Sequence, residues 1–265
     1  MKKIITLSDK KVIESFFRKN TCLNIYPIGD LDEFFFKHTK WYALTEKTGE
    51  NKILEIAFLY TGTDLPVLLA VCDGDLKNMK ELLKEISAEL PDKIYAHLSP
   101  GLEIIFSNEY KAEDFGRHYK MCLVKNNFQE MSERDNIRSL MSEDIEEIQK
   151  FYADAYPGNW FDMRMLETGK YFGYYSDGKL TGAAGIHVYS PEFKVAALGN
   201  ITTHPFHRGK SICRKLTSVL CSDLFETTDH IGLNVHIDNK AAIECYIKTG
   251  FNITGEYHEY LFEKK

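Results

Sequence analysis

The sequence lacks a large excess of either charge and lacks any long apolar run. Its 265 residues have a formal net charge of −6 and contain no block of five like charges. This balance argues against a large nucleic-acid interface, because phosphate binding requires a surplus of Lys and Arg. No apolar run approaches the roughly 20 residues of a transmembrane helix, and the N-terminus lacks the apolar stretch of a signal peptide. We therefore expect a cytoplasmic protein with no nucleic-acid partner and no membrane partner.

The spacings of a metal site are also missing. None of the six cysteines forms a CxxC pair, and the nine histidines show no HxxxH pattern. Most cysteines lie in apolar runs, such as residues 67–72 and 121–124, where a reduced thiol acts as a small core residue. The sequence therefore predicts reduced cysteines and no bound metal.

The composition is that of a globular protein, with 44% hydrophobic and 27% charged residues. A polar stretch at residues 125–135, without clear periodicity, separates two series of strands and helices. We therefore predict two domains, residues 1–130 and residues 131–265. Both halves show the same coarse order of hairpin, strand, helix and strand, which suggests an internal duplication with one degenerate copy.

Apolar periodicity predicts the elements of each half. In the second half, Ser142 is expected to cap a helix, and Asp177 and Gly178 are expected to form a hairpin turn. Its predicted strands are residues 171–176, 180–188, 195–203, 231–237 and 257–262. A later helix is predicted at residues 239–249, and the helix before it takes its apolar stripe from Ile212, Leu216, Val219, Leu220 and Leu224. The first half is predicted to contain helices at residues 11–17 and 75–89 and strands at residues 53–60, 65–72, 93–97 and 119–124.

The most informative segment, residues 200–213, runs from a strand through a turn into an amphipathic helix. The first N–H groups of a helix have no internal acceptor, and the helix dipole favours negative charge beside them. Gly209 allows a close approach of the backbone to a phosphate. The segment and the helix start carry four positive side chains, Arg208, Lys210, Arg214 and Lys215. These features predict a pyrophosphate site, although an ordinary surface turn with a basic helix start has the same local pattern.

A second segment, residues 239–251, makes the pattern more specific when it is taken together with residues 208–213. Arg208, Ser211 and Cys213 have the spacing of the first signature of the GNAT superfamily of acyl-CoA-dependent N-acyltransferases. The second signature of that family is matched at Asn239, Ala242, Tyr246, Gly250 and Phe251. Residues 136–262 therefore resemble this superfamily. The resemblance implies an α/β fold with a mixed, mostly antiparallel twisted sheet flanked by helices, with two such domains in tandem.

The resemblance also implies roles for individual residues. The strand that contains Ile201 and Thr203 would pair its backbone with the pantetheine arm of acetyl-CoA. Asn239 and Ala242, near the next and splayed strand, would also contact this cofactor. Tyr246 would protonate the coenzyme A thiolate that leaves as product, because a phenol is protonated at neutral pH. Asn200 would orient a water or the amine. The backbone amides that would cradle the pyrophosphate are those of Arg208, Gly209, Lys210, Ser211, Ile212 and Cys213.

The sequence departs from the family pattern in several places. Ser211 and Cys213 stand where the family usually has Gly and then Gly or Ala, which is expected to retain but weaken cofactor binding. Residues 195–203 carry no glutamate to act as a general base, and the candidates that remain open are His187, His204 and His236. In the first half, the equivalent junction at residues 71–76 is acidic and would repel a pyrophosphate. Residues 1–130 are therefore predicted to be a degenerate copy, and residues 131–265 the acyltransferase domain.

We expect an N-acetyltransferase in which a small-molecule amine or an amino acid attacks the thioester of acetyl-CoA, or of a short acyl-CoA, directly. The alternative is a non-catalytic acyl-CoA-binding regulatory module. A tandem enzyme that uses aminoacyl-tRNA is a third reading, disfavoured by the acidic balance and the pyrophosphate turn. A homodimer is allowed by the sequence. The acceptor, the acyl chain length, the general base, the oligomeric state and the role of the N-terminal domain are left open.

Overall fold

The computed structural model describes residues 2–48 and 50–265. The chain forms two compact units: the first contains Met1–Lys120 and Gly255–Lys265, and the second contains Met121–Thr254. The predicted boundary at residue 130 therefore lies inside the second unit. The last segment, which we predicted to belong with residues 131–254, belongs to the first unit, because a C-terminal strand pairs with a strand of that unit.

The first unit is a sheet with helices that bury its apolar side chains. Its strands are β1 (Lys2–Leu7), β2 (Thr39–Thr48), β3 (Glu50–Tyr60), β4 (Val67–Ala70), β5 (Lys93–Leu98), most of β6 (Tyr110–Val124) and most of β12 (Asn252–Lys264). Their order is β1-β2-β3-β4-β5-β12-β6. The helices are α1 (Lys10–Phe17), α2 (Ile25–Gly29), α3 (Glu33–Phe36) and α4 (Lys77–Ile86).

The core of the first unit lies between α4 and the sheet. Leu82, Leu83 and Ile86 of α4 are buried in one apolar cluster with Phe106 and Phe262. β4 and β5 are parallel, whereas β5 and β12 are antiparallel, with His258 opposite Leu98 and Glu263 opposite Lys93. The C-terminal strand therefore completes the apolar core of the first unit.

The second unit is also a mixed sheet flanked by helices. Its strands are β7 (Ile137–Ser139), β8 (Phe172–Ser176), β9 (Lys179–Ser190), β10 (Val195–Thr203) and β11 (His230–His236). They lie in the order β11-β10-β9-β8-β7, and only β10 and β11 are parallel to each other among these pairs. The helices are α5 (Ile145–Ala155), α6 (Ile212–Leu224) and α7 (Lys240–Thr249). The predicted α/β class with a mostly antiparallel sheet is confirmed.

The predicted elements around the pyrophosphate segment are confirmed. β10 has the predicted bounds, and α6 contains the predicted apolar stripe. α7 ends at Gly250, whose φ of 108° is left-handed as a helix-ending glycine allows. Asp177 and Gly178 form the hairpin turn with φ values of 50° and 73°. The Ser142 cap is wrong, because α5 begins three residues later and a short 3-10 helix covers Ser142–Asp144. We did not predict β1, β2, β7, α2 or α3.

The expectation of six reduced cysteines is wrong for two of them. Cys22 and Cys122 are disulfide-bonded, whereas Cys72, Cys213, Cys221 and Cys245 are free thiols. Within residues 2–48 and 50–265, no helix has the length and apolar character that a membrane crossing needs.

Candidate functional site

β10 leaves one edge open where it continues past β11. The parallel register between these strands joins only residues 195–197 to residues 230–232. β10 then continues to Thr203 while paired with β9, with Thr203 opposite Gly182. An unpaired strand edge can accept an extended ligand as an added strand. Ile201 and Thr203, which we predicted to bind the pantetheine arm, therefore lie in the open part of β10.

A β-bulge interrupts β10 in this open part. Asn200 and Ile201 lie opposite the single residue Ala184, since the register passes from Gly199–Gly185 to Thr202–Ala183. Asn200 has a left-handed backbone with φ of 53°. A bulge releases backbone groups from the regular ladder, and such distortions are common beside active sites. The bulge is thus a place where a backbone N–H group can serve a ligand.

Two buried tyrosines hold the bulge in position. The Tyr152 hydroxyl donates to the Asn200 carbonyl oxygen at 2.7 Å. The Asn200 Nδ2 donates to the Tyr171 hydroxyl at 3.0 Å and contacts the Met165 sulfur at 3.6 Å. Sequence reasoning missed both tyrosines, because a tyrosine on an apolar face has the same pattern as a core tyrosine.

The placement of Asn200 counts against the predicted catalytic role. Asn200 is only 5% exposed, and its Nδ2 donates to the Tyr171 hydroxyl and contacts the Met165 sulfur. A group that orients a water or an amine must present a free donor or acceptor to the substrate. Asn200 instead joins the backbone of β10 to two tyrosines, through its carbonyl to Tyr152 and through its side chain to Tyr171.

The start of α6 has free N–H groups that suit an anion. The Ser211 side chain makes no capping bond, and the first backbone bond of the helix runs from the Lys215 N–H to the Ser211 carbonyl. In the described part of the chain, the N–H groups of Ile212, Cys213 and Arg214 therefore lack an acceptor. Unsatisfied donors at a helix start, together with the helix dipole, bind phosphate groups.

The turn before α6 exposes its backbone. Gly209 and Ser211 both have left-handed backbones, with φ values of 78° and 59°. A Cβ atom added at Gly209 would have no heavy atom of the described residues within 4 Å, so the space beside this residue is open. Arg208, Gly209, Lys210 and Ser211 are all exposed. This segment therefore fits the pyrophosphate that the sequence predicted.

The four positive side chains differ in their availability. Lys215 pairs with Glu133 at 2.6 Å, and Arg214 donates to the Lys248 carbonyl at 3.0 Å. The Arg208 Nε donates to the Thr203 carbonyl at 3.3 Å, which links the turn to the end of the open strand. Arg208 and Lys210 are therefore the cations best placed to meet a phosphate.

The side chains beside this turn are mostly packed inward. Ile212 is buried, and its Cγ2 would lie 2.7 Å from a Cβ atom placed on Gly182 of β9. Cys213 is half-buried with its sulfur against Cys245 of α7. Ile212 and Cys213 can therefore serve an anion through their backbone N–H groups. Thr203 is 8% exposed, and its hydroxyl oxygen is buried without a hydrogen-bond partner in the described residues.

The second signature segment forms α7. The Asn239 Oδ1 accepts from the Ala242 N–H at 3.2 Å, so this side chain caps the helix. Tyr246 is 7% exposed and packs edge-on against Phe251, with ring centroids 5.8 Å apart. Burial, followed by the charges of Cys213 and Cys245, raises the pKa of Tyr246 well above its ordinary value. The phenol is therefore protonated at neutral pH.

The candidate bases differ in position. Both ring nitrogens of His204 are used: Nε2 contacts Asp154 at 2.9 Å, and Nδ1 accepts from the Phe206 N–H at 3.3 Å. The His236 Nδ1 accepts from the Asp238 N–H at 3.2 Å. The His187 ring packs on Gly199, where an added Cβ atom would lie only 2.1 Å from it. His187 is therefore the candidate base that packs against Gly199, the residue immediately before the bulge in β10.

The corresponding junction of the first unit differs in the way predicted. The N–H of Cys72, just after β4, donates to the Ser99 hydroxyl at 3.0 Å, and the Ser99 N–H donates to the Ala70 carbonyl at 3.1 Å. At the start of α4, the Asp75 carboxylate accepts from the Lys77 N–H at 2.9 Å. An aspartate at this position occupies the first N–H group of the helix and places negative charge at the positive dipole end that an anion would need.

Comparison with known proteins gives one family and many related folds. The family model "Acetyltransferase (GNAT) family" matches residues 135–251. An X-ray structure of a Drosophila protein superposes with a TM-score of 0.72 at 12% identity, covering 98% of each chain. No curated protein sequence matches this chain.

Two further solved structures carry the family name. A tandem GNAT protein from the clavulanic acid biosynthesis pathway has a TM-score of 0.57 at 10% identity and covers 100% of this chain and 98% of its own. A GNAT-family acetyltransferase from Colwellia psychrerythraea has a TM-score of 0.54 at 15% identity and covers 99% of this chain and 100% of its own. These likenesses extend over the whole chain and confirm the predicted fold class.

Proposed function

Because residues 135–251 match the model of the GNAT acetyltransferase family, we propose that the protein transfers an acetyl or short acyl group from acyl-CoA to an amine. The acceptor is a small molecule or an amino acid, and the amine attacks the thioester directly. Coenzyme A is the second product. The cytoplasmic location, the lack of nucleic-acid and membrane partners and a homodimer stay predictions from the sequence.

The observation that carries this proposal is the free start of α6 beside the open end of β10. The N–H groups of Ile212, Cys213 and Arg214 lack acceptors in the described residues, and the turn before them is exposed. The Arg208 bond to the Thr203 carbonyl joins this anion site to the strand edge. One ligand with a pyrophosphate and an extended arm matches both features, and acyl-CoA has both.

The residues of the second unit suit acyl transfer chemically. Acyl-CoA supplies a thioester carbonyl and a thiolate leaving group. A backbone N–H of the β10 bulge would polarise a carbonyl held at the open edge, since a fixed donor stabilises developing negative charge. Tyr246 would hold a proton for the leaving thiolate, because a phenol is protonated at neutral pH. No side-chain nucleophile is needed if the amine arrives unprotonated.

The acceptor is proposed from the surroundings of the site. The segment between α5 and β8 carries three exposed apolar side chains, Tyr156, Trp160 and Met163. Phe161 in the same segment packs against Tyr152, with ring centroids 5.2 Å apart, and Tyr152 also holds the bulge. Exposed apolar side chains beside the site suit a small amine better than an extended acidic or basic chain.

A non-catalytic acyl-CoA-binding module is the second candidate. Asn200 is buried, and both ring nitrogens of His204 contact other groups of the protein. Two of the polar residues predicted to assist catalysis are therefore poorly placed to contact a substrate, which favours this candidate. Such a module would bind acyl-CoA at the same turn without releasing coenzyme A.

Thiol release from acetyl-CoA distinguishes the two candidates. We expect the wild type to release coenzyme A with at least one member of a panel of small amines and amino acids. Tyr246→Phe should lower kcat by roughly 100-fold, because a general acid contributes about that much, while the KM for acetyl-CoA stays unchanged. Tyr260→Phe is the matched control, since Tyr260 is a tyrosine of the first unit that is 6% exposed.

Two results would contradict the proposed acyl transfer or the role of Tyr246 in it. Equal kcat values for the wild type and Tyr246→Phe would remove the proposed acid. Binding of acetyl-CoA without thiol release for any amine would favour the non-catalytic module.

A further inference from the structure

Two free thiols face each other where α6 and α7 meet in the second unit. The Cys245 thiol donates a hydrogen bond to the Cys213 sulfur, and the two Sγ atoms are 3.3 Å apart. Both side chains are half-buried, and neither is in a disulfide. A disulfide has an S–S distance of about 2.05 Å, so an approach of about 1 Å would join the two helices covalently.

The two thiols are chemically unequal. The hydrogen bond from Cys245 lowers the pKa of the Cys213 thiol, against the opposing effect of burial. The same bond, followed by burial, raises the pKa of Cys245. Cys213 is also the second residue of α6, where the helix dipole stabilises a thiolate. Cys213 is therefore the nucleophile and Cys245 the resolving thiol.

The other free cysteines lack this arrangement. Burial raises the pKa of Cys72 to about 11. Cys221 has no exposed surface, and burial raises its pKa as well. Of the four free thiols that the structure describes, Cys213 alone has a lowered pKa and a second thiol within bonding reach.

We propose that Cys213 and Cys245 form a reversible dithiol site that reacts with low-molecular-weight disulfides. The Cys213 thiolate attacks one sulfur of the small disulfide, the S–S bond of that molecule breaks, and one small thiolate leaves. The sulfur of Cys245 then attacks the Cys213 sulfur of the mixed disulfide, its proton passes to the solvent, and the second small thiolate leaves. Two protein thiols are oxidised and one small disulfide is reduced to two thiols.

The cross-link has a structural consequence that does not depend on the proposed acyl transfer. It would join the first turn of α6 to α7 and close the chain between residues 213 and 245. Closing such a loop restricts the unfolded chain and stabilises the folded state. The oxidised second unit should therefore unfold at a higher temperature than the reduced one.

The test uses the full chain with glutathione disulfide as the probe. After incubation, free thiols are blocked with iodoacetamide, and peptides are analysed by mass spectrometry without reduction. We expect a cross-linked peptide pair joining Cys213 to Cys245, which a reductant converts back to two alkylated peptides. Cys72 and Cys221 serve as internal controls and should show neither glutathione nor a new cross-link.

Two variants separate the roles of the thiols. Cys245→Ser should retain glutathione on Cys213, because the resolving thiol is gone. Cys213→Ser should carry no glutathione on Cys245. Circular dichroism verifies that each variant is folded. The cross-linking result for the wild type does not depend on the folding of either variant.

The proposal is overturned if the wild type shows no link between Cys213 and Cys245 and both thiols are fully alkylated. It is also overturned if Cys245→Ser collects no glutathione on Cys213. An unfolding temperature that is equal for the oxidised and reduced wild type would overturn the stabilising effect of the cross-link.

Discussion

Asn200 shows how a motif residue can act through its backbone. Its φ of 53° is a conformation that Asn and Gly adopt at low cost and other residues avoid. Its carbonyl and its amide are both bonded to buried tyrosines. The sequence indicated a polar group at this position of β10, but the left-handed backbone and the two tyrosines depend on tertiary packing and left no local pattern.

Substitutions at Asn200 separate a positioning role from a catalytic one. Asn200→Gly and Asn200→Ala remove the same side-chain hydrogen bonds, but only Ala keeps a Cβ atom on a left-handed backbone. We expect Asn200→Ala to be less stable than Asn200→Gly by about 0.5 kcal/mol in urea unfolding, because the freedom of glycine in the unfolded chain offsets part of the strain that the Cβ atom causes. Thiol release by Asn200→Gly should stay close to that of the wild type, because the glycine can keep the bulge.

A large loss of activity in both variants would instead support a catalytic role for Asn200. In that case both variants would lose thiol release by a similar factor of about 100 or more, whatever their stability.

At the scale of the element, α6 shows which parts of the site the sequence could predict. The spacing of its apolar residues predicted the helix and its buried face, and the glycine and basic residues around its start predicted the anion site. The left-handed backbone of Ser211 was not predicted. It gives a physical reason for the glycine that the family usually has at this position, since a serine with φ of 59° is strained.

The strain at Ser211 can be measured. Ser211→Gly relieves a cost of about 1 kcal/mol, although the freedom of glycine in the unfolded chain offsets part of it. We expect a net gain in the free energy of unfolding of about 0.5 kcal/mol, with the affinity for acetyl-CoA kept or improved. Ser211→Ala is the matched control and should bring no gain, because it keeps the Cβ atom. A gain of the same size for both variants would mean that the serine hydroxyl, and not the backbone, causes the strain.

At the scale of the whole molecule, the chain order does not follow the compact units. The strand that ends the chain, β12, was predicted from its alternating pattern, but its pairing with β5 was not. Such a pairing joins residues that are far apart in the sequence, and periodicity contains no information about a distant partner. The two domains predicted by cutting the chain at residue 130 therefore differ from the units that the structure forms.

A single residue of β12 tests this organisation. Phe262 is 1% exposed and packs against Phe106 of the first unit, with ring centroids 4.8 Å apart. Phe262→Ala should destabilise the first unit by about 3–5 kcal/mol, which is the usual cost of emptying a buried phenylalanine site. Fluorescence of the buried Trp41 in urea reports this unit, because the other tryptophan, Trp160, lies in the second unit.

The neighbouring residue provides the control. Glu263 forms an exposed pair with Lys93, so Glu263→Gln should change the stability by less than about 1 kcal/mol. An unchanged Trp41 transition in Phe262→Ala would contradict the assignment of β12 to the first unit.

The central claim is that acyl-CoA binds at the start of α6, and thermal unfolding with and without acetyl-CoA tests it most directly. A ligand at 100 times its dissociation constant adds about 2.7 kcal/mol of stability. We predict that acetyl-CoA raises the unfolding temperature of the wild type and of Lys179→Ala, a control that removes an exposed charge from the hairpin turn of the second unit. Arg208→Ala should lose most of this rise. No rise in the wild type, or an equal rise in Arg208→Ala, would contradict the account.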